Sequence, residues 1–139
     1  MNADLLLWPI AIHALATLSI YLPMWRVRMR TVMEGKVRAG VYRLGDGEPE
    51  ESRKFSNAIR NQNETGLPFY AACLVAHAAG GAPVAVVVLA WAFLVLKLVH
   101  LAIHVTTNRL RHRRPAFQTA LIALAALWLA VALDLAGVL

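Results

Sequence analysis

Charge is scarce in this chain. Only 16% of its 139 residues are charged and 59% are hydrophobic, a balance that excludes an ordinary soluble domain and leaves room for one domain at most. Cysteine is scarcer: Cys73 stands alone inside an apolar run, so disulfide usage says nothing about redox compartment. A Walker phosphate loop, a Rossmann glycine fingerprint, a zinc ribbon and a nucleophile elbow are all missing. There is no internal repeat, and no low-complexity tract beyond the Ala/Leu/Val richness of the apolar runs. Basic residues are absent from the N-terminus, from the Gly80-Gly81-Ala82-Pro83 turn and from the C-terminus.

What is present is apolar length. Four runs, Ala3–Trp25, Ile59–Ala79, Pro83–Val105 and Ala116–Gly137, approach or exceed the roughly 20 residues that a helix needs to cross a bilayer. Backbone groups in lipid must be satisfied internally, so such runs predict helices. The expected fold class is all-α, an integral membrane four-helix bundle formed by a single domain over 1–139. A first loop over 26–55 is its main extramembrane part. Within it, residues 34–54 hold glycines, Pro49 and the carboxylates Asp46, Glu48, Glu50 and Glu51, a polar and turn-rich composition. Pairing of this acidic end with nearby arginines is expected to be exposed and to contribute little.

The net charge of +6 sits almost wholly in two places. Arg26, Arg28, Arg30, Lys36, Arg38, Arg43, Arg53 and Lys54 lie in or beside the first loop, and Arg109, Arg111, Arg113 and Arg114 fill the third. Four spans with basic first and third loops predict cytoplasmic loops and both termini outside. The basic residues then act as topology determinants able to touch anionic lipid head groups. No aromatic platform accompanies them, so nucleic acid is not an expected partner. The first run has no basic residue before it and is too long for a signal peptide, and a retained anchor is expected. The compact, alanine-rich chain suggests a bacterial inner membrane, with both termini periplasmic.

Two polar stripes interrupt this apolar background. Asn57, Arg60, Asn61 and Glu64 fall at offsets 0, 3, 4 and 7, and Lys97, His100, His104 and Asn108 recur at three, four and four. On helices each set shares one face. A charge near a bilayer centre costs about 2.5–3.5 kcal/mol on insertion scales, so both stripes are expected to turn inward, at matching depth. They would frame a polar cavity for a small zwitterionic or anionic ligand. Residue types alone equally allow the stripes to be polar glue between helices. His100 and His104 could ligate a metal, but a third ligand at that depth is missing, so no metal site is expected. His13 reads as a packed, hydrogen-bonded residue.

The run Arg60-Asn61, Glu64, Pro68-Phe69 resembles the second-helix signature of the MAPEG family, the membrane-associated proteins in eicosanoid and glutathione metabolism. The chain length, the four runs, Val27-Arg28 and the Lys97-x-x-His100 pattern are also similar. The resemblance implies a homotrimer with glutathione, as co-substrate, held between subunits near the cytoplasmic side. It implies binding roles for Arg28, Asn57, Arg60, Asn61, Glu64, Lys97 and His100. It further implies a transferase or peroxidase whose glutathione thiolate attacks a hydrophobic electrophile arriving from the bilayer. The pattern is not complete. His104 stands where catalytic members carry a tyrosine, Asn57 stands at a basic position, and Leu121 stands where a fourth-span tyrosine is expected. Arg113 or Arg114 can take the place of the family's arginine, which leaves His104 and Arg113 as candidate catalytic residues. The alternative is a non-catalytic membrane subunit or interaction protein that kept the scaffold without the chemistry.

Overall fold

The computed structural model of the chain describes residues 3–80 and 82–139. Gly81, in the expected tight turn, lies outside them. Among the described residues all regular structure is helical. A short 3-10 turn, Ala3–Leu6, leads into α1 (Leu7–Ser19), and α2 (Tyr21–Met33) follows at once. The break between them has a local cause. Pro23 has no N–H for the Ser19 carbonyl, so the helical ladder lapses there. Ile20 stays in helical conformation, and its N–H turns to Thr17 O at 3.2 Å.

The loop that follows contains one helical turn, α3 (Val41–Leu44), closed by Gly45 at φ +83°, a left-handed conformation that glycine adopts without strain. The chain then enters α4 (Glu50–Ala78) through an extended Pro49, with Glu50 and Glu51 in the first turn, where carboxylates complement the helix dipole. This helix begins at Glu50 and not at Ile59, so the first loop is shorter than expected and α4 stands well clear of its apolar half. Helices α5 (Val84–Val105) and α6 (Leu110–Leu135) complete the bundle. The start of α6 also precedes the expected Ala116, which places Pro115 inside the helix and not at its first position.

Three segments are long and apolar enough to cross a membrane: Ala3–Met33, Val84–Val105 and Leu110–Leu135, with mean hydropathies of 1.8, 2.5 and 2.1. The fourth long helix, α4, is of comparable length, but its N-terminal half is polar and keeps it out of that set.

Packing explains where the polar residues end up. One apolar cluster joins Phe69, Ala72, Cys73 and Ala76 of α4 to Val86, Ala90 and Phe93 of α5 and to Ala120, Leu124 and Leu127 of α6. Its many alanines let helices approach closely, as small residues do in membranes. A second cluster gathers Ile20, Phe55, Ala58, Ile59 and Leu101. Between the two along α4 and α5 lies a buried polar layer of Gln62, Thr65, Lys97 and His100. His13 of α1 is buried against the layer's inner edge, where its Nδ1 pairs with Tyr70 Oη at 2.8 Å. Gly66 is what admits it: a Cβ there would stand 3.0 Å from His13 Cε1. Trp128 ties α6 to α4 by donating to Pro68 O at 3.1 Å.

Candidate functional site

Lys97 is completely buried on α5. Its ammonium donates to Asn61 Oδ1 at 2.8 Å, reaches Asn61 O at 3.5 Å, and lies 5.6 Å from the Phe117 ring centroid. One and two turns further along the same face come His100 and His104, both buried, with ring centroids 5.4 Å apart in an edge-on arrangement. His100 also stacks at 5.4 Å against Phe117 of α6.

The turn after α5 brings Arg113 to this row. Asn108 adopts φ +50°, the one non-glycine among the described residues with positive φ, and its N–H closes back on Ile103 O at 2.8 Å. Asparagine tolerates this conformation better than most side chains. The resulting reversal lets Arg113 Nη1 donate to Asn108 Oδ1 at 2.6 Å and meet His104 Nε2 at 3.1 Å. A guanidinium has no acceptor, so His104 accepts at Nε2 and carries its proton on Nδ1. That Nδ1 is buried without a partner, as is Nδ1 of His100. Buried polar atoms without partners are costly and uncommon.

These groups line a cavity of about 240 Å³ bounded by Asn61, His100, His104, Leu110, Arg113, Arg114 and Phe117. Two arginines, Arg113 and Arg114, are among the lining residues, and no carboxylate is. Such a lining accepts an anion, and suits a carboxylate or thiolate of a small ligand.

The two polar stripes are brought together only in part. Asn61 turns inward to Lys97, whereas Asn57, Arg60 and Glu64 lie on the exposed face of α4. The expectation that the whole set faces into the bundle fails for a geometric reason. At about 100° per residue the stripe is itself about 100° wide, with Asn61 at one edge and Arg60 at the other, so the helix packs its Asn61 edge and leaves Asn57, Glu64 and Arg60 outside. Glu64 remains near enough to Lys97 for their charges to attract, but Arg60 and Glu64 make no hydrogen bond or ion pair among the described residues.

Arg28 is engaged elsewhere. Its guanidinium donates to Glu48 Oε1 at 3.1 and 2.8 Å and to Ser56 Oγ at 2.8 Å, with the Tyr42 ring 4.9 Å away. Ser52 and Ser56 also donate to Glu48. Burial pushes the Glu48 carboxyl up, but the hydrogen bonds from Arg28, Ser52 and Ser56 outweigh it and hold the group below the usual carboxylate range. Sequence reasoning treated the loop carboxylates as weak surface pairs. That describes Arg30 with Glu51 and Lys36 with Glu34, which are exposed, but not Glu48. Phe117 and the role of Asn108 were also missed, although Asn108 already stood at the end of the Lys97–His104 stripe. Among the described residues no three potential metal ligands cluster.

Comparison with family models matches residues 6–133, nearly the whole chain, to the MAPEG family. Comparison with curated proteins and with solved structures returned no significant match.

Proposed function

The chain belongs to the MAPEG family and is an integral membrane protein, and from that premise we propose that it binds glutathione or a related thiol in the Arg113–His104 cavity. The carrying observation is a lining that holds Arg113 and Arg114 and no carboxylate, with Arg113 fixed in place by Asn108. Glutathione offers two carboxylates, one ammonium and one thiol. Arg60, Arg113 and Arg114 suit the anionic groups, and Glu64 suits the ammonium.

In this reading α4 is the fourth span and the protein is a homotrimer. The exposed Asn57, Arg60 and Glu64 of one copy then complete the site against its neighbour. The basic loops face the cytoplasm and the termini the periplasm of a bacterial inner membrane. Arg113 and His104 stabilise the thiolate and lower the pKa of the bound thiol, whose proton leaves to water. The thiolate sulfur then forms a bond to the carbon of a lipophilic electrophile, and the leaving group departs with the electron pair of the broken bond.

A second reading, a thiol-binding subunit without catalysis, is favoured by one observation. Phe117, the aromatic residue lining the cavity, has no hydroxyl to offer. Both readings meet the same test. Purified in detergent, the wild-type protein is expected to gain thermal stability as glutathione rises, with about 2.7 kcal/mol at a hundredfold excess over Kd. Arg113→Ala and Glu64→Gln are expected to shrink the gain. No shift at millimolar glutathione removes the binding proposal. Binding without any rate above solution toward chlorodinitrobenzene leaves the non-catalytic reading.

A further inference from the structure

The basic end of α6 is built for more than the cavity just described. Arg109, Arg111 and Arg114 are exposed, and their side chains make no hydrogen bond or ion pair among the described residues. In the first loop Arg28, Arg30 and Lys36 are matched by Glu48, Glu51 and Glu34, while Arg38 and Arg43 are exposed with no side-chain partner among the described residues. Arg111 and Arg114 instead line a second cavity of about 330 Å³, whose other walls are Leu110 and Pro115. Two guanidiniums facing one space suit a phosphate, which each can contact bidentately.

The apolar surroundings identify which phosphate. Below Arg111, Arg114 and Pro115, the exposed residues Gln118, Ile122, Ala125 and Leu129 continue the same face at spacings of three and four. Ile122 and Leu129 are 68% and 62% exposed, on a helix apolar enough to span a membrane. The stripe opens on polar Gln118, and its apolar part from Ile122 to Leu129 runs roughly 10 Å along the axis, within the half-thickness, about 15 Å, of a bilayer's hydrocarbon core. Cationic cavity above, apolar stripe within one leaflet below: that is the outline of a phospholipid with its tail along the helix.

We propose that Arg111 and Arg114 bind the phosphate of an anionic phospholipid whose acyl chain lies along Ile122–Leu129. The lipid site adjoins the candidate thiol site, because Leu110 and Arg114 line both cavities. It does not depend on glutathione being the ligand there.

The test uses the full chain in detergent titrated with phosphatidylglycerol or phosphatidylcholine as mixed micelles, reading the thermal midpoint and the lipid phosphorus retained after washing. Phosphatidylglycerol is expected to raise the midpoint and be retained, phosphatidylcholine much less. Arg111→Gln/Arg114→Gln is expected to lose this preference, and Arg38→Gln/Arg43→Gln, which removes two exposed loop arginines, to keep it. Arg111→Gln alone, outside the candidate thiol site, is expected to lose part of it and serves if the double variant does not fold. Retained preference in the Arg111 and Arg114 variants overturns the proposal. So does equal loss in the loop control, which would mean unspecific charge, or an equal shift with glycerol phosphate alone, which would mean a soluble-anion site.

Discussion

At the residue scale the informative group is Asn108, which does two jobs with one side chain. Its backbone sits at φ +50° to turn the chain, and its Oδ1 accepts from Arg113 at 2.6 Å. The two contributions can be separated. Asn108→Gly keeps the turn without a Cβ and deletes the acceptor, whereas Asn108→Ala deletes the acceptor and leaves a Cβ in the left-handed region without the local hydrogen bonding of the asparagine side chain, at about 1–2 kcal/mol. Thermal melts in detergent are therefore expected to rank wild type above Asn108→Gly, and Asn108→Gly above Asn108→Ala. Glutathione stabilisation, by contrast, is expected to fall equally in both, because both free Arg113 from its orientation toward His104. Equal melts for the two variants would mean that the turn carries no strain, and an undiminished glutathione response would remove Asn108 as a positioning residue.

Among the elements, the first loop is the one whose behaviour is least like its composition. Glu48 is buried and takes hydrogen bonds from Arg28, Ser52 and Ser56, which ties the loop to α2 and α4. Its carboxyl is held below the ordinary value of 4.5. A depressed acid contributes stability that is fully present above its unfolded pKa and is lost as pH falls through its folded pKa. Hydrogen-exchange protection factors over residues 34–49, corrected for the intrinsic pH dependence of exchange, are thus expected to be flat from pH 7 to 5 and to fall only below about 4.5. Glu48→Gln is expected to show fast exchange already at pH 7, with a loss of about 1–3 kcal/mol for the broken network. A loop equally protected in Glu48→Gln would show that the turns alone hold it.

The same elements show what could be read from residue order and what could not. Runs such as Val84–Val105 announce themselves, because nothing but a helix satisfies that much backbone in lipid. The Asn61–Lys97 contact was also legible, from matched depth on antiparallel helices. The early start of α4 was harder: outside the membrane its only helical mark is Phe55, Ala58, Ile59 and Gln62, a packed face too short to distinguish from a turn-rich loop. Helix rotation was not legible at all. Whether Asn61 or Arg60 faces inward is decided by how Ala58 and Phe69 pack against Leu101 and Phe93 of α5, a tertiary preference that spacing leaves open. Glu48 was hidden for a related reason, since its partners Arg28 and Ser56 lie twenty and eight residues away.

If α4 is the fourth span, as proposed above, that rotation creates for the whole molecule an imbalance a single chain does not resolve. Arg60 and Glu64 are exposed on α4 just before its apolar half begins. Facing lipid, two charges would cost up to roughly 5–7 kcal/mol on insertion scales at the bilayer centre and less toward the head groups, against the 5–15 kcal/mol by which folded proteins are usually stable. A second copy can relieve this by setting Glu64 or Asn57 of one α4 against Arg60 of another, or by sharing a zwitterionic ligand between them. Native mass spectrometry from mild detergent is expected to show a trimer for the wild type. Arg60→Leu/Glu64→Leu is expected to fold, since both side chains are exposed, and to shift toward monomer because it removes the groups that need a partner while leaving an acceptable lipid-facing surface. A wild-type protein that is monomeric in every mild detergent, with its thermal midpoint unchanged by the double substitution, would mean that the stripe meets water or head groups and that the site is complete within one chain.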